Sequence, residues 1–396
     1  MTAGPDPLRR RHRLTVSAGG VDRSDTIVQA PLCLPPGTPV LLYEQGGADR
    51  PVPAQVDAAG DLVWVLAGPT AARTSRSFVA EVGVETAETQ RVVAVVHPAV
   101  VAITSEGRPV AHYNYTSVWK PYFCPLMGPT GNVVRGASSE HQHQAGLFFS
   151  YGGHFTPTNI WSDWDEPIYG PDGKMLHRGF ELVAGGPVFA QMIQEIGYMA
   201  ADGGFILEEL RDLRVFPLPG SGPRAEGVGS GPHAQHGVVT VVDLVRTCSP
   251  PAEPSVGPFN LSCRVADPLR TVDMARRGPP PERKMQPTDD PGKMESSSGE
   301  VSQGESVKSE RWLDRSGRLA GGWGGLAFFD HPGNPGYPGR LSAAGYGTMG
   351  LGYDYPVGSP RASWRYRVYA HAGDATSARI EERWQDYASP PAVAVE

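Results

Sequence analysis

The chain has no apolar run approaching the roughly 20 residues that a bilayer-spanning helix needs. Its N-terminus, MTAGPDPLRRRHRLTVSAGG, carries basic residues with no apolar core behind them and does not have the form of a secretory signal. These two absences lead to the expectation of a soluble, cytoplasmic protein with no membrane partner. Cysteine is scarce: Cys33, Cys124, Cys248 and Cys263 are scattered with no CxxC pair, which excludes a zinc ribbon or disulfide framework and leaves buried free thiols. A formal charge of −7 gives none of the basic excess that phosphate binding requires, so no nucleic-acid partner is expected. There is no GxSxG, no Walker loop, no GxGxxG after a strand and no HExxH. Covalent serine hydrolysis and a nucleotide cofactor are therefore unsupported.

Turn residues, by contrast, are abundant, with 49 Gly and 39 Pro, and they favour many short strands over long helices. Runs rich in Val, Leu and Tyr and bounded by Gly, Pro or Asp predict strands at 13–18, 26–34, 39–44, 61–67 and 77–84. RVVAVVHPAVVAI is split by Pro98 into two strands or a bent one. Longer candidates follow at 146–151, 189–199, 204–216 and 237–247, and strand character returns at 312–329 and 361–372. One helix is expected, capped by Asp374, with Ile380, Trp384 and Tyr387 on one face. The fold expectation is all-β: a large two-sheet antiparallel β-sandwich, supersandwich-like, with one C-terminal helix. Residues 1–10 are expected to be disordered, 11–97 to form an N-terminal β region, and 98–388 the main sandwich. Inserts are expected at 217–236 (a flexible loop) and 267–308 (disordered, from its Pro, Ser, Glu and Lys content), with a tail at 389–396.

The segment from Tyr113 to His154 gathers eight aromatics, Lys120, Glu140 and three histidines, the mixture of apolar walls and a few polar groups that a small-molecule pocket needs. On a strand, His141 and His143 would project from the same face. That spacing suits two ligands of a divalent metal, an acid/base pair, or neutral hydrogen-bonding groups in a sugar pocket. It resembles the HxH of cupins, but no carboxylate follows, so a third ligand would come from His154, Asp330, His331 or Glu140. Lys120 and Tyr122 in KPYF offer a charge and a stacking face. Trp161 and Trp164 in NIWSDWDE lie beside acids, a common answer to sugar binding. FFDHPGNPGYPGR places Asp330, His331 and Asn334 on a rigid loop at a strand end. Glu208 and Glu209 alternate faces on a strand, which leaves room for one to face a cavity, although a pair of Glu on an exposed strand is the commoner arrangement.

Five segments, YNY…KPYFCPLMGPTGNVV, EHQHQAGLFFSYG, IWSDW, FFDHPGNPGYPGR and WRYRVYAHAGD, in this order resemble the soluble PmoA-like bacterial family, often labelled methane oxygenase PmoA. The family's histidine motif runs Asp-His-Pro-His-His-Arg-Gly-Leu. His141 and His143 match it, Glu140 keeps the acid, and Gln144 and Ala145 stand in place of a His and an Arg. The resemblance implies a soluble β-rich protein and, through the label, a metal-dependent oxygenase. The front region, PVLLYEQGGADRPVPAQVDAAGDLVWVLAG, also looks like strands of large sandwich proteins that act on polysaccharides.

The expectation is an enzyme acting on a sugar or sugar-derived small molecule by acid/base chemistry. His141 and His143 are the acid and base or the ligands of a divalent metal, with Glu140, Asp330 and His331 as further catalytic candidates. Lys120, Tyr122, Trp161, Asn334 and His154 are the substrate-binding candidates. The alternatives are a non-catalytic carbohydrate-binding protein and the metal-dependent oxygenase.

Overall fold

The computed structural model describes residues 10–47, 50–84, 91–116, 118–137, 144–152, 159–161, 173–219, 237–252, 258–273, 286–301, 306–308 and 310–396. Strand dominates, and among these residues there is a single α-helix, Ile380–Ala388. No helix among them is long and apolar enough to cross a membrane. The chain forms two compact units, one from residues 1–93, 184–191 and 382–396, the other from residues 94–183 and 192–381.

In the first unit, alternation along Arg10–Ser17 buries Leu14 and Val16 and turns Arg11 and Arg13 outward. This strand lies between Ser75–Val82 and Ala392–Val395, and Val40–Glu44 completes a four-stranded antiparallel sheet. Arg23–Ala30, Leu62–Thr70 and Ala54–Val56 make a three-stranded sheet. Trp64 from one sheet meets Phe78 from the other with ring centroids 5.7 Å apart, in a core that also holds Val28 and Leu42. The residues expected to form a tail thus supply an edge strand, with Val393 packed against that core.

The second unit is a two-sheet sandwich. One sheet runs, in spatial order, Ser306–Lys308, Arg340–Ala344, Thr348–Tyr353, Phe259–Arg264, Leu147–Tyr151, Tyr122–Gly128, Arg108–Asn114, Val100–Ser105, Val92–Val96, with Gly131–Asn132 beside Tyr122–Gly128. The other runs Lys174–Ala184, Ala190–Met199, Phe205–Pro219, Val238–Cys248, Ala362–Ala372, Gly322–Asp330, Trp312–Leu319, Lys293–Ser296, Gly299–Glu300. Aromatic contacts join the two inner faces. Phe149 meets Tyr366 at 5.7 Å, Phe259 stacks on Trp364 at 5.2 Å, and Tyr151 meets Tyr198 at 5.8 Å.

Two local expectations come out differently. Asp374 caps a turn, not the helix: its Oδ1 accepts the Ser377 amide at 3.0 Å, and Arg379 at φ +56° separates that turn from the helix beginning at Ile380. Within 267–308, where disorder was expected, Lys293–Ser296 pairs with Trp312–Leu319, and Ser306–Lys308 pairs with Arg340–Ala344. Backbone pairing at a sheet edge needs no hydrophobic period, and the buried Met294 and Val301 suffice to anchor the segment. Residues 220–236 of the expected flexible loop lie outside the described residues, as do 274–285 and 302–305.

Candidate functional site

The ten-stranded sheet of the second unit shows different chemistry on its two faces. Phe149, Leu261, Leu351 and Leu341 stand in register across four strands and point into the sandwich. One residue away, Phe148, Ser262, Gly350 and Ser342 form the adjacent row and point the other way. Tyr122 extends that row beyond Phe148. Gly350 keeps it hollow, because a Cβ there would lie 2.8 Å from Ser342 Oγ.

A cavity of about 330 Å³ sits over this row. Phe148, Trp161, Tyr346 and Met349 supply apolar and aromatic walls, while Gln144, Asn260, Ser262, Ser342 and Thr348 supply amides and hydroxyls. Among the described residues no Asp, Glu, His, Lys or Arg lines it. The Trp161 wall is built locally: Asn159, fully buried, accepts the Trp161 amide on Oδ1 at 2.9 Å, and the Ile160 amide bonds the Tyr151 carbonyl at 2.8 Å. Lys120 closes the same corner. Its Nζ donates to the Trp161 carbonyl at 3.0 Å and lies 5.0 Å from the centre of the Phe148 ring. Burial raises the Tyr122 phenol, with Cys124 adding to it, so Tyr122 stays a neutral hydrogen-bonding group. Lys120 and Tyr122 from one motif and Trp161 from another therefore share one side of this sheet.

Two guanidinium groups contact residues that line the cavity. Arg264 Nη1 donates to Gln144 Oε1 at 3.2 Å, and the guanidinium stacks 4.9 Å from the Tyr346 ring. Arg315, fully buried, donates to the Ala344 carbonyl and to the Leu269 carbonyl (3.3 Å). Burial and the nearby Arg264 charge lower Arg315 to about 9. Its sequence neighbour Asp314 projects from the other face of the strand and is engaged by His371 Nε2 at 2.6 Å.

Asp330, His331 and Asn334 form a separate cluster that does not line the cavity. Asp330 accepts the Tyr353 hydroxyl and Asn334 Nδ2 (3.2 Å) on Oδ1 and the Gly339 amide (2.8 Å) on Oδ2. Asn334 also clamps Arg365, donating to its carbonyl at 2.8 Å and accepting its amide at 2.7 Å. Burial raises the Asp330 carboxyl, although these hydrogen bonds oppose the shift. His331 accepts the Gly333 amide on Nδ1 at 2.9 Å. Burial, with Arg365 and Arg367, lowers its imidazole to about 4, away from the range of a neutral-pH acid or base. Together these bonds tie the DHPGNPGYPG loop onto the sandwich.

Of the two adjacent glutamates, Glu209 is the inner one. Arg211 Nε reaches its Oε1 at 2.6 Å, Arg246 Nη2 its Oε2 at 2.9 Å, and the Tyr198 hydroxyl donates to Oε2. Both guanidiniums pack on Phe149, at 4.4 and 4.6 Å from its ring centre. Burial alone would raise the Glu209 carboxyl, but the two arginines outweigh it and hold it at about 2. Glu208 faces outward to Arg178. The histidine motif, Glu140, His141 and His143, lies outside the described residues, as does His154. Among the described residues no group of three or more His, Cys, Asp or Glu is placed to hold a metal ion.

A family model described as "Family of unknown function (DUF6807)" matches residues 100–385. No curated protein matches the sequence at a significant level. Among solved structures, an alpha-mannosidase from Enterococcus faecalis V583 is similar with a TM-score of 0.41 at 9% sequence identity. The match covers 97% of this chain and 46% of that one, so the chain spans less than half of its length.

Proposed function

The chain belongs to the DUF6807 family, whose function is unknown, and from its own residues we propose that the second unit binds a sugar or sugar-derived small molecule in the cavity over the Phe148–Ser262–Gly350–Ser342 row. The observation that carries this reading is the composition of that cavity: three aromatic rings around hydroxyls and amides, with no Asp, Glu, His, Lys or Arg in the lining among the described residues. The C–H face of a sugar ring stacks on aromatic faces, and its hydroxyls take up side chains that both donate and accept. A volume of about 330 Å³ lies at the lower end of the roughly 300–1,000 Å³ usual for small-ligand sites. His141 and His143, which precede Gln144 in sequence, are the proposed acid and base, with Glu140 orienting them. The described lining itself, with no carboxylate, imidazole or amine, also favours the non-catalytic alternative of a carbohydrate-binding protein.

Calorimetric titration with a monosaccharide panel, coupled to product analysis, tests both readings. Trp161→Ala is expected to weaken binding about tenfold, equivalent to ~1.4 kcal/mol. The double variant His141→Ala/His143→Ala is expected to keep binding and lose turnover. Affinity indifferent to Trp161→Ala would remove the proposed site, and turnover surviving in the double variant would remove the histidine roles. Binding without turnover in the wild type would make this a binding protein.

A further inference from the structure

Resting on that reading, we propose that the ligand is a sugar acid, a uronate or aldonate, whose carboxylate is held at the Gln144 end of the cavity. Gln144 is 1% exposed and lines the cavity. Arginine is a donor only, so the bond from Arg264 Nη1 fixes which end of the Gln144 amide is oxygen. The other end, Nε2, is buried and has no hydrogen-bond partner. A buried donor left unmade costs about 1–3 kcal/mol, so its position at the cavity calls for an acceptor on the ligand.

Charge decides what kind of acceptor. Arg315 satisfies its Nη1 and Nη2 on two carbonyls, and no described carboxylate lies within ion-pair distance of it. It holds the carbonyl of Ala344, and Ala344 lines the cavity. Arg264 stacks on the ring of Tyr346, another lining residue. Both cations act through low-dielectric protein, where screening is weak. The cavity thus combines an unmet N–H donor on a lining residue with two guanidinium charges held against lining residues, and its described lining holds no carboxylate to repel an anion. Arg315 is a single buried cation with no ion-pair partner among the described residues, which favours a singly charged carboxylate over a phosphate dianion.

The test is calorimetric titration of the full chain at fixed low salt with three matched series. These are neutral hexoses with their uronates, the methyl esters of those uronates, and the hexose 6-phosphates. Uronates are expected to bind at least tenfold more tightly than both the parent hexose and the ester. In Gln144→Glu, checked by circular dichroism for an unchanged fold, the new carboxylate takes up Arg264 and repels the ligand, so that ratio falls to about one. Equal affinity for hexose, ester and uronate would overturn the sugar-acid assignment and leave the sugar reading standing. Tighter binding of the 6-phosphates would overturn the carboxylate. A uronate preference that persists in Gln144→Glu would remove Gln144 from the site. If no series binds, the sugar reading fails together with this one.

Discussion

Glu209 is the carboxylate on which two buried guanidiniums depend, and its removal leaves both without an acid inside the sandwich. Breaking a buried ion pair on one side costs about 3–5 kcal/mol. Glu209→Gln keeps the shape and removes the charge, so it is expected to lower the free energy of urea unfolding by that amount. Its neighbour Glu208 pairs with Arg178 across exposed surface, and Glu208→Gln is expected to change stability by less than about 1 kcal/mol. Equal losses in the two variants would mean that burial does not set the value of these pairs. Two groups also shape the acid limb of the stability curve. His331 is lowered from 6.5 to about 4, so the unfolded chain takes up its proton first, and the stabilisation present above pH 6.5 is lost as pH falls toward 4. Glu209 is lowered from 4.5 to about 2, so its stabilisation is intact above pH 4.5 and is lost as pH falls toward 2. In urea titrations across pH, His331→Gln is expected to flatten the upper segment only. An unchanged slope between pH 6.5 and 4 would show that His331 does not titrate as its surroundings dictate.

At the scale of the element, the cavity exists because two neighbouring strands are built from small residues. Arg340–Ala344 (RLSAA) and Thr348–Tyr353 (TMGLGY) place Ser342 and Gly350 where large side chains would fill it. Gly350→Leu is therefore expected to abolish ligand-induced stabilisation in thermal melts while shifting the unliganded melting temperature little, since the change faces outward. Retained ligand stabilisation would place the site elsewhere. The same smallness explains why these two strands escape sequence reading. β-Branched and aromatic residues mark a strand, and here a hollow replaces them. Val238–Cys248 and Phe205–Pro219, long and alternating, were legible, and so was the break at Pro98 between Val92–Val96 and Val100–Ser105. The alternation of LEEL was equally compatible with an exposed pair and gave no sign that Glu209 is the buried one, because its partners Arg211 and Arg246 come together only through strand pairing. Lys120, Tyr122 and Trp161 were legible as candidates from their chemistry. Gln144 was not, since its role depends on Arg264, 120 residues away.

For the whole molecule, the family match at residues 100–385 falls almost entirely on the second unit, which also carries the cavity. The first unit owes its integrity to residues from both ends of the chain. Its first strand, Arg10–Ser17, pairs with its last, Ala392–Val395. Arg23, 5% exposed, donates to Asp386 Oδ1 at 2.9 Å and to the Ser389 carbonyl at 2.7 Å, while Thr26 donates to Asp386 Oδ2 at 2.9 Å. Asp386→Ala strands a buried cation and a buried hydroxyl, at a cost of about 3–5 kcal/mol. Truncation after residue 388 spares that pair but removes an edge strand and the Ser389 acceptor. Hydrogen exchange separates the two effects. Asp386→Ala is expected to speed exchange throughout Arg23–Ala30 and its partner Leu62–Thr70, and truncation to speed it first in Arg10–Ser17. If Asp386→Ala leaves Arg23–Ala30 fully protected, the ion pair does not hold the helix to this sheet, and the unit's stability rests on the Trp64–Phe78 core alone.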